Sequence, residues 1–149
     1  MVEIILAQAD AEALMGMEKV KVDDKRWEYP EVGGHISIPL TSRNKRENFS
    51  LDIRRGRIDL LKGTHQNRAY QVVILLRLDF GGPPHRNPDG QEIPSPHMHF
   101  YREGFGDKWA APAPLDKFTD ISDIWLTLGT FMKLCNITDP PNIERGLFV

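Results

Sequence analysis

Tyr70-Gln71-Val72-Val73-Ile74-Leu75-Leu76-Arg77-Leu78-Asp79-Phe80 is the longest strand pattern in the chain, and the fold is read outward from it. Strict alternation puts Val72, Ile74, Leu76, Leu78 and Phe80 on one face, with Gln71, Val73, Leu75, Arg77 and Asp79 on the other. The first face reads as core; the second starts apolar and ends charged. A second segment, His97-Met98-His99-Phe100-Tyr101-Arg102, points Met98 and Phe100 one way and His97, His99 and Tyr101 the other. Antiparallel pairing of the two, with apolar faces matched, forces Arg77 and Asp79 onto the face of His97, His99 and Tyr101. The loop Gly81-Gly82-Pro83-Pro84-His85-Arg86-Asn87-Pro88-Asp89-Gly90 is full of structure breakers and brings in His85 and Arg86, with Arg102 and Glu103 at the rim.

The flanking elements fit one α+β domain spanning residues 1–149. His35–Leu40 and Phe49–Ile53 alternate with period two, and Gly56 marks a tight turn into a strand carrying Ile58 and Leu60. The expectation is an antiparallel sheet of about five strands, with an N-terminal helix (Gln8 to Glu18) and a C-terminal helix packed on one face. The second helix is expected over Ile121 to Leu134, capped by Thr119 or Asp120, with Trp125 in the core and Asn136 and Pro140-Pro141 ending it. Residues 23–34 read as an irregular connection, and His35 and His65 as surface or turn residues.

Composition bounds the function classes. The 149 residues are 40% hydrophobic and 27% charged, which is ordinary for a globular protein. The start, Met1-Val2-Glu3-Ile4-Ile5-Leu6, lacks the pattern of a signal peptide, and no apolar run reaches the length of a membrane span. A cytoplasmic protein without membrane contact is expected, and the single cysteine, Cys135, reads as a core or helix-end thiol. The net charge of −2 is uneven: Arg43 to Arg86 holds ten Lys or Arg residues against four acids. That excess is either a solvated sheet face or an attractive field for RNA. Arg54, Arg55, Arg57, Arg68 and Arg86 are the candidate RNA contacts.

The histidine face holds what metal-independent RNA cleavage needs. Attack of a ribose 2′-OH on its phosphate requires a base, an acid for the leaving 5′-oxygen and cations for the phosphorane charge. Imidazoles suit the first two roles because both protonation states are accessible near neutrality. Guanidinium suits the third. His97 and His99 are the leading acid–base candidates, with Arg77 and Arg102 on phosphate, Asp79 orienting an imidazole, and His85 and Tyr101 completing the set. The same histidines allow a metal site with His85 and Asp79 as further ligands, or a purely structural role. No cofactor is expected: Gly104-Phe105-Gly106-Asp107-Lys108-Trp109 lacks the helix that a phosphate loop needs.

Arg77-Leu78-Asp79, Pro84-His85 and Pro96-His97-Met98-His99 give this stretch of about 25 residues, Arg77 to Tyr101, an order that resembles TumE-type toxins of bacterial toxin–antitoxin pairs. Gly82–Gly90 and Tyr101–Trp109 resemble an uncharacterised family of small bacterial, plasmid and phage proteins over nearly the whole chain. The toxin resemblance implies a fold of the barnase–EndoU–colicin–RelE kind, a ribonuclease site opposite the helices, and an antitoxin protein as partner. The chain departs from the toxin pattern at Arg86, where a second histidine is usual, and at Met98, which separates the final histidines. The alternatives are a non-catalytic phage or plasmid binding protein that acts on a host protein or nucleic acid, and a metal-dependent hydrolase.

Overall fold

The structure, a computed structural model, describes residues 4–59 and 61–146. In chain order the elements are α1 (Gln8–Gly16), β1 (Lys19–Lys21), β2 (Arg26–Glu28), β3 (His35–Ser42), β4 (Asn48–Arg55), β5 (Gly63–Ala69), β6 (Val73–Phe80), β7 (His85–Arg86), β8 (Glu92–Ile93), β9 (His97–Phe100), β10 (Ala110–Pro112), α2 (Ile124–Leu134), β11 (Ile137–Asp139) and β12 (Asn142–Glu144). Eight strands form one sheet in the order β10-β9-β6-β5-β4-β3-β1-β11, larger than the five expected. Its neighbours are antiparallel except β1 and β11, which run parallel. Two ribbons, β2–β12 and β7–β8, complete the strands; the first replaces the irregular connection read over residues 23–34.

The deciding pair forms as expected. β6 and β9 are antiparallel, with Arg77 opposite His99, Leu78 opposite Met98 and Asp79 opposite His97. The first half of β6 departs from strict alternation. Asn67 of β5 faces Leu76 but Arg68 faces Ile74, so Leu75 is an extra residue, a bulge. The bulge moves Val73 and Leu75 into the core with Leu78 and Phe80. Val72 lies outside the strand and is half exposed, and Tyr70 and Gln71 form a left-handed turn.

Sequence reading placed one strand wrongly. Ile58 sits in a turn and is 97% exposed, and Leu60 lies outside the described residues. The strand at this place is β5, whose Gly-Thr-His-Gln-Asn-Arg-Ala has no apolar alternation to reveal it. It alternates all the same: Gly63, His65, Asn67 and Ala69 are buried, while Thr64, Gln66 and Arg68 take the other face.

Both helices feed one core. Ala11 and Leu14 of α1 and Ile124, Leu128 and Phe131 of α2 join Ile38, Leu40, Leu51, Ile53, Leu78 and Phe80 in a single buried cluster. α1 ends at Gly16, two residues before Glu18. α2 starts at Ile124 because Asp123, not Thr119 or Asp120, accepts the Leu126 amide as N-cap; Asp120 instead accepts from the Ser122 hydroxyl. Asn136 adopts a positive φ and turns the chain out of the helix. Cys135 ends it as a buried thiol that burial pushes up to about 12. Beneath both helix ends, the fully buried Lys19 donates to the carbonyls of Met15, Met17 and Cys135, binding the two C-termini together.

His65 is not a surface residue. It is fully buried against Phe80 and Phe131 and shares a 2.8 Å hydrogen bond with the Tyr29 hydroxyl. Burial pulls its pKa down to about 3. The unfolded chain therefore takes a proton at His65 near pH 6.5 while the folded chain stays neutral to about pH 3. Stability is full above pH 6.5 and falls as pH drops through that window. At pH 5 the loss from this residue is expected to be about 2 kcal/mol. Urea denaturation at pH 7 and pH 5 checks this: the difference between the two shrinks by about that amount in His65→Phe, and an unchanged difference refutes it.

Candidate functional site

The strand register lays two polar rungs across five strands. His99, Arg77, Gln66, Asp52 and Ser37 face one another in turn across β9, β6, β5, β4 and β3. Two residues along each strand, His97, Asp79, Thr64, Arg54 and His35 form the second rung. Both lie on the face opposite the core because side chains two residues apart share a face. Over them opens a cleft of about 710 Å³, walled at the histidine end by Gly82, Pro83, Pro84 and His85 and also lined by Lys62 and Arg68.

At that end three imidazoles meet. Ring centroids are 4.4 Å apart for His85 and His99, 5.1 Å for His97 and His99, and 5.8 Å for His85 and His97. His97 and His99 are 3% and 1% exposed; His85 is only partly buried. Asp79 Oδ2 lies 3.4 Å from His97 Nε2 and 3.2 Å from His99 Nε2, while its Oδ1 accepts from Thr64 at 2.9 Å. Arg77 donates to Asp79 at 3.1 Å and to Asp107 at 2.5 Å, and its Nη2 is 2.9 Å from His99 Nε2.

Two backbone carbonyls fix the rings. Asp107 O lies 2.7 Å from His99 Nδ1, and Lys108 O lies 2.7 Å from His85 Nε2. A carbonyl only accepts, so each of those nitrogens carries a proton. His99 Nε2 then accepts from Arg77, which can only donate, and the ring is neutral. Such a ring offers Asp79 no hydrogen. Burial pushes the Asp79 carboxyl up, yet the surrounding His99, Arg77 and Thr64 hold it well below the usual carboxylate range. With His99 neutral, the Arg77 charge and the Thr64 hydroxyl carry that effect. Burial lowers the His97 pKa against the opposing pull of Asp79. A backbone hydrogen bond to the Pro94 carbonyl also raises it, although no partner meets Nδ1 at full hydrogen-bond geometry among the described residues.

The structure brings His85, His97, His99, Arg77 and Asp79 together as the sequence suggested, and it removes others. Tyr101 belongs to the core: its hydroxyl is 2.8 Å from both the Leu6 amide and the Leu6 carbonyl. β9 ends at Phe100, and Tyr101 bonds through its amide to Leu75, the bulged residue, so the alternation stops there. Phe100, the last residue of β9 and expected in the core, is 36% exposed. Arg102 stacks over Trp109, 4.5 Å from the ring centre, outside the cleft lining. Arg54 and Arg68 line the cleft, whereas Arg55 is buried and donates to the Pro30 carbonyl. Arg57 and Arg86 do not line the cleft; Arg86 pairs with Glu92 at 3.4 Å.

Asp107 and Lys108 were missed as site residues. The available signal was the Gly104-Phe105-Gly106 reversal, where both glycines have positive φ and send the next residues back along the histidine strand. Thr64 and Gln66 were missed with β5 itself and Lys62 just before it, whereas Asp52 was missed on β4, a strand the sequence did show.

Asp79, His97 and His99 also place one donor atom each within 4.8 Å of one another, a spacing that suits a metal ion. Arg77 already donates to Asp79 and His99, so an ion at this point has to displace it.

Searches among curated proteins and among solved structures find no match. The family model of DUF6978, a family of unknown function, matches residues 6–137, and the chain belongs to that family.

Proposed function

We propose that the cleft binds RNA and cleaves it without a metal, by acid–base chemistry between His97 and His85. The observation that carries this reading is the buried Nδ1 of His97, which meets no partner at full hydrogen-bond geometry among the described residues. A buried polar atom left without a partner at a cleft end, with Asp79 set against the other nitrogen of the same ring, is a poised base.

In this reading Asp79 accepts the Nε2 hydrogen of His97 and leaves the Nδ1 lone pair for the ribose 2′-OH. Its lowered pKa keeps the ring neutral, and so basic, at pH 7. Nδ1 is shielded from water in the free protein, and in this reading the substrate has to open that contact. As the 2′-oxygen bonds to phosphorus, the bond to the 5′-oxygen breaks, and that oxygen takes a proton from His85. His85 is the least buried imidazole of the three and reloads from solvent. The products are a 2′,3′-cyclic phosphate and a 5′-hydroxyl; His85 and His97 exchange protons with water to reset.

In this reading the phosphate goes to cations other than Arg77, because Asp79 and Asp107 already pair with it. Arg54 and Lys62 line the cleft with no acid paired to them among the described residues, and they take the phosphate. The resemblance to TumE-type toxins extends the proposal to a growth-inhibiting toxin, with an antitoxin protein as the partner that covers this cleft.

The test is to incubate purified protein with single-stranded RNA in EDTA and analyse the ends. Fragments ending in cyclic phosphate support the reading. Intact RNA, or cleavage that EDTA stops, rejects it. A non-catalytic binding protein is the second reading, and the observation favouring it is His99, buried with both nitrogens bonded, as a structural histidine would be.

A further inference from the structure

Beyond the histidine end, the first rung continues into a polar network that the proposed cleavage step does not use. Asp52 accepts from the Ser37 hydroxyl at 2.6 Å, the Gln66 amide at 2.7 Å and Arg68 at 2.5 and 2.8 Å. Each carboxylate oxygen thus serves two donors. Burial pushes Asp52 up, and the donors from Arg68, Ser37 and Gln66 outweigh it and hold the carboxyl below its ordinary value. The carboxylate is fully used in holding its neighbours still.

The consequence falls on Arg68. Its Nε and Nη2 are held by Asp52, a further Nη2 contact reaches the Ser37 hydroxyl at 3.1 Å, and Nη1 donates to the Gln71 carbonyl. A guanidinium with four of its five in-plane hydrogens engaged is a poor ligand for phosphate, but its flat faces remain. The side chain is 26% exposed and lines the cleft. Beside it, Gln66 has given its amide nitrogen to Asp52, which leaves its Oε1 as an acceptor with no partner among the described residues. A fixed plane next to one fixed acceptor is the equipment for a nucleobase: the ring stacks on the guanidinium and an N–H of its edge meets Oε1.

Spacing agrees. Gln66 and Asp52 stand two residues along their strands from Thr64 and Arg54, a separation of about 7 Å. A phosphate held by Arg54 and Lys62 therefore has its own base within reach of Arg68. The charge states support the division of labour, because Arg54 and Lys62 have no acid paired to them among the described residues, whereas Asp52 neutralises Arg68.

We infer that Ser37, Asp52, Gln66 and Arg68 form a nucleobase subsite beside the cleavage centre, so that the ligand is a single-stranded oligonucleotide recognised by base as well as phosphate. This rests on the reading of the cleft as an RNA site. The probe is a fluorescein-labelled 2′-O-methyl tetranucleotide, which lacks the attacking hydroxyl and stays intact, compared with an abasic chain of the same phosphate number. Fluorescence anisotropy is expected to show about tenfold tighter binding of the base-bearing probe. Arg68→Lys, which keeps the charge and loses the plane, and Gln66→Met, which loses the acceptor, each narrow that difference, with folding verified by thermal melting. Equal binding of the two probes by the wild type, or binding of neither, overturns the subsite. Because the probe cannot be cut, a base preference without RNA cleavage would keep the subsite and reject the nuclease reading alone.

Discussion

His97→Ala is expected to lower the rate of RNA cleavage by about 10²–10⁴-fold while the protein keeps its fold. The size follows from losing the imidazole assigned as base, whose buried Nδ1 meets no hydrogen-bond partner among the described residues. The retention of fold follows from how little else His97 holds: its one ionic neighbour, Asp79, keeps Arg77 and Thr64 when the ring is gone. His99→Ala is expected to behave differently. That ring ties the Asp107 carbonyl to Arg77, so its removal frees the turn that also holds His85. Melting temperature and single-turnover cleavage, measured on both variants, separate the two roles. A His97→Ala protein that melts normally and cleaves at the wild-type rate would sink the assignment of His97 as base.

The contrast shows how far the sequence carries. The pairing of β6 with β9 was legible because Leu78 and Met98 must be buried, and their burial leaves Arg77, Asp79, His97 and His99 no other face. It was legible only up to the bulge. A β-bulge changes parity by one residue, and no feature of Val-Val-Ile-Leu-Leu announces where it falls, since every candidate is apolar. That single residue accounts for the misplaced Val72 and contributes to the misplaced Tyr101. β5 was invisible for the opposite reason. Its inward residues are Gly63, His65, Asn67 and Ala69, so burial selects small or hydrogen-bonded groups there and the hydrophobic period vanishes. Yet β5 supplies the middle of both rungs. The strand least legible by hydrophobicity is the one that makes the cleft polar, because it lies at the centre of a sheet whose far face serves chemistry instead of packing.

The Arg77→Ala variant tests whether the histidines serve a proton or a metal. In the wild type one guanidinium neutralises Asp79 and Asp107, whose side chains are 24% and 29% exposed. Removing it leaves two partly buried carboxylates beside a neutral ring, and the expected loss is about 3 kcal/mol, the low end for breaking a buried pair because water still reaches these. The same change uncovers Asp79 Oδ2 and His99 Nε2, which with His97 lie within 4.8 Å of one another. His99 is already in the tautomer a metal needs, its Nδ1 hydrogen held by the Asp107 carbonyl. Zinc should therefore stabilise Arg77→Ala, by about 2.7 kcal/mol at a hundred times its dissociation constant, and leave the wild type unchanged. Calorimetric melting with and without Zn²⁺ decides it. If the wild type gains as much as the variant, Arg77 yields to the ion, the donors belong to a metal centre, and the base assigned to His97 becomes a ligand.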